Sequence, residues 1–461
     1  MARKSVDERH EEGREARRSV PRSAHAHWRP APDRPDPIGL LQEQNDQRVP
    51  WLVPVRHARM RESPFTFYRG TASIMASDLA GTPTSGFDVQ TVGDGHLSNF
   101  GAYASPERQL VFDANDFDET LNGPWEWDVK RLATSFLIAA RHREFPEDDA
   151  HAITLRVVKS YRDAMADYGE KGFLELWYEH TGMEQIGRIG RGEFDKHEVA
   201  KRLAEFERRA RSKNSLQALD KLTVRDGDRF RIRTDRPVLV PISELKPDRN
   251  PAKLEQIVRE TFDDYVATLR DDRRGLLERY ELVDVALRVV GVGSVGTRCF
   301  VLLLEGRDWH DPLLLQVKEA NASVLEPHLH GSRYPHHGQR VVAGQRQIQA
   351  QSDIFLGWAT GSDEGRHYYG RQLRDWKRSV DIDSTTPRLL DFYARLCGQI
   401  LARGHARSGD PVAIAGYVGT SKKLDEAILE FARTYADQTV EDYERFREAI
   451  ADGTLPVGDE T

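Results

Sequence analysis

Residues 92–131 read VGDGHLSNFGAYASPERQLVFDANDFDETLNGPWEWDVKR, and this segment gathers more candidate groups for metal binding and proton transfer than any other. Its first part is a glycine-containing loop in which Asp94 and Asn99 stand five positions apart, with His96 between them. A carboxylate in such a loop is suited to accept a proton, and oxygen atoms are the ligands that Mg²⁺ prefers. We therefore expect the rest of the chain to be organised around this segment.

The separation of Asp94 and Asn99 is the D-x-x-x-x-N spacing of a phosphotransferase catalytic loop. In such a loop the aspartate accepts the proton of the substrate hydroxyl, and the asparagine holds a magnesium ion. We expect His96 to orient the loop. The alternative is that these residues are ordinary turn and cap residues, a role in which Asp and Asn are common.

The apolar run 110–112 (LVF) is expected to form a short strand that delivers Asp113, Asp116 and Asp118 to its end. Carboxylates gathered at one place suit a hard cation such as Mg²⁺, which also bridges phosphates. We assign Asn99 and Asp116 as metal ligands, with Asp113 as the reserve ligand.

The loop and the acidic run together resemble the aminoglycoside-phosphotransferase and choline-kinase-like branch of the protein-kinase-like superfamily. That branch has a loop similar to G-D-x-H-x-x-N, then a strand and D-[FW]-x-[DE]; this chain has GDGHLSN at 93–99 and DFDE at 116–119. The GP pair at 123–124 and Asp128 look like the Gly-Pro turn and the helix-initiating Asp of that branch. The resemblance implies a second role for Asp128, in tying its helix to the backbone of the catalytic loop.

A second resemblance covers most of residues 50 to 440 and is the more specific. The chain is similar to a large family of uncharacterised bacterial proteins, catalogued as domain of unknown function 2252, which implies no established activity. The segments that carry this resemblance are RESPFTFYRG (61–70), GDGHLSNFG (93–101), NDFDETLNGPWEWDVKRLA (115–133), LQVKEA (315–320) and SDIFLGW (352–358). Within the first of them, Arg69 either is a surface charge or reaches an anion near Asp94, because Arg suits phosphate geometry.

Composition narrows the class of protein. The chain has 461 residues, 31% of them charged, and a formal net charge of −7, so it has no global basic field and we predict no nucleic-acid partner. No apolar run approaches the roughly 18 to 20 residues that span a membrane, and the N-terminus lacks a signal-peptide apolar region. Cys299 and Cys397 cannot form a disulfide framework, so we expect a cytoplasmic protein.

A second group of candidate residues follows Leu282, where the sequence predicts strand, turn and strand. The turn contains Gly291, Gly293, Ser294 and Gly296 in a G-x-G-x-x-G pattern. A strand follows this turn instead of the helix of a dinucleotide fold, and the third strand ends near Lys318. This is the layout of a kinase glycine loop with its phosphate-binding lysine. The alternatives are a plain meander and a lysine that reaches solvent.

Residues 339–351 are expected to form the helix that in kinases offers a glutamate to this lysine, yet they contain no Glu. The partner of Lys318 is then Glu319 or Glu326, or there is none. The apolar stripe after Leu389 predicts a further strong helix.

In a kinase-like chain the glycine loop and the lysine precede the catalytic loop, whereas here they follow it. We therefore expect an α+β protein with a two-lobed protein-kinase-like fold that is circularly permuted and carries a helical insertion. The expected parts are a disordered leader (1–38), the catalytic-loop and metal-binding part of the large lobe (39–170), a helical insertion or accessory subdomain (171–280), the small lobe with glycine loop and lysine (281–380), helices completing the large lobe (381–452) and a tail (453–461).

The expected function is an ATP- and Mg²⁺-dependent phosphotransferase that acts on an unidentified hydroxyl-bearing acceptor. Asp94 and His96 form its catalytic pair, and Lys318 should lie roughly 10 Å or less from a metal-binding carboxylate. Two alternatives stay open: a catalytically silent nucleotide-binding module, and a metal-dependent hydrolase that uses Asp94, His96, Asp116 and the histidines of segment 328–337. The acceptor and the oligomeric state cannot be read from the sequence.

Overall fold

The structure is a computed structural model that describes residues 4–213, 215–227, 229–245, 251–289, 291–362, 365–373 and 376–458. Residues 1–3 of the expected leader and 459–461 of the expected tail lie outside the described residues. Helices account for 53% of the chain and strands for 15%, so the expected mixed α and β class is confirmed.

Helices form most of the molecule, and none of those described is both long and apolar enough to cross a membrane. In chain order they are α1 (Val6–Ser19), α2 (Pro37–Asp46), α3 (Val53–Met60), α4 (Pro64–Arg69), α5 (Ala72–Leu79), α6 (Trp125–His142), α7 (Glu147–Glu170), α8 (Phe173–Tyr178), α9 (Met183–Arg191), α10 (Lys196–Arg211), α11 (Ser215–Leu222), α12 (Pro251–Ala267), α13 (Asp271–Leu277), α14 (His337–Ile348), α15 (Pro387–Ser408), α16 (Pro411–Val418) and α17 (Lys423–Ala451).

The strands form antiparallel sheets. They are β1 (Asp88–Gln90), β2 (Phe100–Ala104), β3 (Leu110–Ala114), β4 (Asn122–Pro124), β5 (Thr223–Asp226), β6 (Arg229–Ile232), β7 (Leu239–Pro241), β8 (Glu281–Arg288), β9 (Cys299–Glu305), β10 (Pro312–Glu319), β11 (Gly357–Thr360), β12 (His367–Gln372) and β13 (Arg378–Ser379). The largest sheet has the order β11-β12-β10-β9-β8-β7, a second has the order β13-β2-β3, and β1-β4 and β5-β6 are pairs.

The six-stranded sheet carries Lys318 on β10 and the glycine turn between β8 and β9. Side chains alternate between the two faces of a strand. On β9, Leu302 and Leu304 pack into one apolar cluster, whereas Val301 and Leu303 pack into another. Both faces are therefore covered, which explains why the sequence of β9 is almost continuously apolar.

The expected insertion, residues 171–280, supplies much of that cover. Its strand β7 pairs with β8 at the edge of the sheet. Leu219 and Leu222 of α11 pack on one face, and Tyr265 and Leu269, in and after α12, pack on the other. The segment therefore completes the core of the sheet.

The helical core is built from α6, α7, α15 and α17. α15 begins with Pro387 in its first turn, and the side chain of Thr386 caps it by accepting a hydrogen bond from the backbone N–H of Leu389. Helices α15 and α7 approach closely, because a Cβ on Gly398 would lie only 2.4 Å from the carbonyl oxygen of Val157.

The N-terminal region differs from the expectation of a disordered leader over residues 1–38. Helix α1 packs against α16, where a Cβ on Gly13 would lie 2.0 Å from the carbonyl oxygen of Ala413. Gly416 makes the reciprocal approach from α16. The amino-acid composition of this region does not predict the contact, because closely packed backbones make it and not large apolar side chains.

Candidate active site

Asp128 of helix α6 anchors the loop that carries Asp94. The two carboxylate oxygens of Asp128 accept hydrogen bonds from the backbone N–H groups of Val92 (2.6 Å) and Gly93 (3.0 Å). His405 Nε2 lies 3.1 Å from Asp128 Oδ2. These contacts confirm the expectation that Asp128 ties its helix to the loop backbone.

Helix α15 supports the loop from a second side. The Tyr393 hydroxyl donates to the backbone carbonyls of Leu97 (2.6 Å) and Phe100 (3.1 Å). The backbone N–H of Leu97 in turn donates to Ser135 Oγ of α6 (3.0 Å). The expectation that the helix after Leu389 packs beside the Asp94 loop is therefore confirmed.

Asp94 is paired with a buried arginine of α6. Arg131 Nε (2.9 Å) and Nη2 (2.7 Å) both donate to Asp94 Oδ1, and Nη2 also donates to the Tyr68 carbonyl (2.9 Å). Burial raises the pKa of Asp94 to about 6, although Arg131 opposes the rise. A carboxylate with a pKa near neutrality can accept a proton at physiological pH and release it again.

His96 lies next to this carboxylate, with Nε2 3.7 Å from Asp94 Oδ2. Its Nδ1 accepts a hydrogen bond from the backbone N–H of Ser98 (3.2 Å). Burial, aided by the charges of Arg69 and Arg131, holds the pKa of His96 well below its ordinary value. A neutral imidazole is suited to orient the loop, as expected from the sequence.

The candidate metal ligands Asn99 and Asp116 line the same cleft. Asn99 Nδ2 donates to the backbone carbonyl of Asp94 (2.7 Å), so the amide oxygen remains as an acceptor. Asn99, Asp116 and Asp118 all line the cleft together with Asp94. This set of oxygen donors fits Mg²⁺, which takes a few protein oxygens and leaves positions for phosphate and water.

Asp113 does not belong to this set. It is buried on β3, and Arg403 Nη2 of α15 lies 2.5 Å from its Oδ2. Its Oδ1 also accepts a hydrogen bond from the backbone N–H of Ala114 (2.9 Å). The role of reserve metal ligand is therefore not supported, because Asp113 neutralises a buried arginine away from the cleft. Asp116, in contrast, follows the end of β3 and lines the cleft.

Lys318 reaches the acidic cluster from the six-stranded sheet. Its Nζ lies 2.8 Å from Asp118 Oδ2 and 3.4 Å from Asp116 Oδ1. The expected distance of roughly 10 Å or less is therefore confirmed. These two carboxylates raise the pKa of Lys318 well above its ordinary value, although its burial acts in the opposite direction.

The partner expected for Lys318 was a different carboxylate. Glu319 points to the other side of the strand, where Arg298 Nη1 lies 3.3 Å from its Oε2. Glu326 lies 3.7 Å from Arg340 Nε. Neither is the partner of Lys318. Glu319 is adjacent to Lys318 on β10 and projects to the opposite face, and Glu326 lies beyond the strand.

The strand beside β10 adds two further groups. Tyr369 is opposite Lys318 in the register, and its hydroxyl donates to Asp118 Oδ1 (2.5 Å). Arg371 follows on the same face of β12. Burial alone would raise the pKa of Asp116, but Lys318 and Arg371 hold it below its ordinary value. Asp116 is therefore ionised and suited to hold a cation.

Helix α14 lies where the sequence predicts a helix without glutamate. It contacts the acidic segment through Arg340, which donates to the backbone carbonyls of Thr120 (2.5 Å) and Asp118 (2.8 Å). The same guanidinium donates to the Asn321 carbonyl (2.8 Å). An arginine bound to backbone atoms thus fixes this helix against the segment that follows β3.

The glycine turn covers the cleft. Gly291, Gly293 and Ser294 line it, whereas Gly296 is held by the N-terminal region, since its carbonyl accepts a hydrogen bond from the backbone N–H of Val49 (2.8 Å). Gly296 has φ +91°, a conformation that favours glycine. The predicted turn is therefore present, and its last glycine allows the backbone conformation that the turn requires.

The sequence analysis missed Arg48. This residue lies in the segment that connects α2 to α3, and it lines the cleft. Its Nη1 donates to the Val295 carbonyl in the glycine turn (2.5 Å). Arg59 of α3 donates to the Gly291 carbonyl (2.6 Å). No motif marks these arginines, because their role depends on which remote segment they approach.

Of the candidate histidines in segment 328–337, the side chain of His336 bonds to the backbone. His336 caps α14, with Nδ1 accepting from the Gln339 N–H (3.1 Å), and His367 Nδ1 accepts from the His337 N–H (3.0 Å). Of the segment 328–337, His328 lines the cleft. Among the described residues, no group of three or more His, Cys, Asp or Glu side chains is arranged to hold a metal ion.

The cleft has a volume of about 560 Å³, within the usual range for a small-molecule site. It brings together seven of the ten predicted site residues and lies next to the carboxylate partners of Lys318. The seven are Asp94, His96, Asn99, Asp116, Gly291, Gly293 and Ser294.

Comparisons with known proteins identify a family and no activity. The family model described as "Uncharacterized protein conserved in bacteria (DUF2252)" matches residues 48–449, which is most of the chain. No curated protein and no solved structure matches the chain. The chain therefore belongs to this family of uncharacterised bacterial proteins.

Proposed function

We propose that the protein is an ATP- and Mg²⁺-dependent phosphotransferase that acts on a hydroxyl-bearing acceptor. The observation that carries the proposal is the meeting of Lys318 Nζ and Asp116 Oδ1 at 3.4 Å, although 202 residues separate them along the chain. Asp94 and Asn99 line the same cleft under the glycine turn. Phosphoryl transfer needs a lysine, metal ligands and a base around one triphosphate.

The proposed fold is a circularly permuted, two-lobed protein-kinase-like fold. Its support is the antiparallel meander β8-β9-β10, with the glycine turn between its first two strands and Lys318 near the end of the third. Helix α14 follows, and α15 packs beside the Asp94 loop. Circular permutation is physically tolerable when the original termini lie close together and the new ones fall in exposed segments.

In the proposed reaction, Asp94 accepts the proton of the acceptor hydroxyl as its oxygen forms a bond to the γ-phosphorus. The bond from that phosphorus to the bridging oxygen of ADP breaks, and the electron pair stays on ADP. Arg131 holds the Asp94 side chain in position, and neutral His96 orients the loop that carries it. General-base assistance of this kind contributes about 10²- to 10⁴-fold.

Phosphate binding would involve Lys318, the backbone of the glycine turn and Arg48. The oxygen atoms of Asn99 and Asp116 would hold Mg²⁺, with Asp118 shared between the ion and Lys318. Mg²⁺ held there would supply positive charge that offsets the charge developing on the phosphate oxygens.

The catalytic rate should depend on pH through Asp94. Because the pKa of Asp94 is about 6, we expect kcat/KM to fall as the pH drops below about 6 and to level off above it. A profile of transfer or ATP hydrolysis between pH 5 and 8 measures this. An activity that stays constant down to pH 5 would rule out Asp94 as the base.

Mg²⁺ with ATP should stabilise the folded protein. At a ligand concentration about 100 times its dissociation constant the gain is about 2.7 kcal/mol, which raises the melting temperature by a measurable amount. The Asp116→Asn variant should lose the part of this gain that depends on Mg²⁺, because it removes a charged metal ligand. Equal melting temperatures with and without millimolar Mg²⁺ and ATP would count against the proposal.

A catalytically silent nucleotide-binding module is the second candidate. It is favoured by one observation: Asp94 Oδ1 is already engaged by two nitrogen atoms of Arg131. This function would be identified if Mg²⁺ and ATP raise the melting temperature of the protein but no phosphoryl transfer or ATP hydrolysis is detected.

A further inference from the structure

Arg69 is an arginine of the cleft that lacks an anionic partner. It is the last residue of α4, lines the cleft with Asp94, and has a buried Nε without a hydrogen-bond partner. Within the described part of the chain it forms no ion pair, whereas Arg131, which pairs with Asp94, lies 2.7 Å from that carboxylate.

A guanidinium that is partly removed from water without a partner destabilises the folded protein. Burial accordingly lowers the pKa of Arg69, although Asp94 acts in the opposite direction. An unsatisfied polar group in a native structure calls for an explanation, and in a cleft the natural one is a ligand that supplies the missing anion.

Arg48 and Arg69 both line the cleft, and their other contacts differ. The charge of Arg48 interacts with Asp118 and Glu119, which follow the metal-binding segment, and its Nη1 contacts the glycine turn. Arg69 follows Tyr68, whose carbonyl accepts a hydrogen bond from the same Arg131 Nη2 that donates to Asp94, the candidate base, and the charges of Arg69 and Asp94 interact. Arg48 is therefore placed for the nucleotide phosphates, and Arg69 is placed for the substrate whose hydroxyl meets Asp94.

We propose that Arg69 binds an anionic group of the acceptor, so that the substrate is a hydroxyl compound that also carries a phosphate or carboxylate group. This inference rests on the proposed function and names the substrate class of the same site. The planar fork of arginine suits both groups, because each offers two oxygens for paired N–H donors. The anionic group binds without reacting, while the hydroxyl of the same molecule receives the γ-phosphoryl group.

The test measures the binding of inorganic phosphate, by calorimetry, to the full chain saturated with Mg²⁺ and a non-hydrolysable ATP analogue. We expect phosphate to bind beside the analogue. Arg69→Gln should weaken phosphate binding about tenfold or more and leave the affinity for the analogue unchanged, since a charge-assisted hydrogen bond is lost at one site only. Arg61→Gln, an exposed arginine of the same region that does not line the cleft, is the matched control and should change neither.

Arg69→Gln should melt at the same temperature as the wild type or higher, because it removes an unpaired cation. A clearly lower melting temperature would show a structural role and overturn the inference. Competition between phosphate and the analogue would also overturn the inference, as would a lower affinity of Arg69→Gln for the analogue. In either case Arg69 would bind the nucleotide and not the acceptor. If the wild type binds the nucleotide but its phosphate binding does not depend on Arg69, this inference alone is contradicted. If the wild type binds no nucleotide at all, the proposed function is contradicted, and the acceptor class with it.

Discussion

Replacing Asp94 with Asn should lower phosphoryl transfer about 10²- to 10⁴-fold while Mg²⁺ and ATP still bind. The substitution removes the proton acceptor and keeps the shape of the side chain. An asparagine oxygen can still accept from Arg131 Nη2, so the loop should keep its position. Stability should fall, however, because Arg131 is buried and loses the charge of its partner.

The comparison needs transfer rates, nucleotide affinity and melting temperatures for Asp94→Asn and for a matched variant. Asp88→Asn is that control, because Asp88 is exposed on β1 and does not line the cleft. Full turnover by Asp94→Asn would show that another group takes the proton. Loss of nucleotide binding would instead show that the charge of Asp94 contributes to the metal site.

Replacing Asp128 with Ala should have the largest effect on stability, a loss of about 3–5 kcal/mol. Asp128 is 1% exposed, and it satisfies the backbone N–H groups of Val92 and Gly93 and contacts His405. Alanine leaves these donors buried without acceptors. Urea denaturation followed by circular dichroism measures the change.

Asp128→Asn should cost less than Asp128→Ala, since one carboxylate oxygen is retained as an acceptor. Asp149→Ala, in the exposed first turn of α7, should stay within about 0.5 kcal/mol of the wild type. A change of less than about 1 kcal/mol in Asp128→Ala would mean that the loop does not depend on this carboxylate.

Local patterns predicted those parts of the site that neighbouring residues determine. The spacing of Asp94 and Asn99, the acidic residues after β3 and the helix after Leu389 all depend on short segments, and each is found where the sequence placed it. The role of Asp128 followed from a resemblance and agrees with its two backbone hydrogen bonds.

Contacts between remote segments were not predictable in the same way. Lys318 was expected near the cluster, but its pairing with Asp118 depends on how the sheet meets the segment after β3. Arg69 was considered for an anion because it precedes the Asp94 loop and because Arg suits phosphate geometry, whereas no sequence pattern pointed to Arg48. Long side chains of this kind acquire partners from packing, which a single sequence does not encode locally.

The 202 residues between Asp116 and Lys318 also have a consequence for biosynthesis. Ribosomes add about 5–20 residues per second, so roughly 10–40 s pass between the emergence of the carboxylates and that of their lysine. During this interval Asp116 and Asp118 lack the cation that neutralises them in the finished protein. A nascent chain that ends before β10 therefore exposes an acidic surface, which is available to magnesium ions or chaperones until the sheet closes over it.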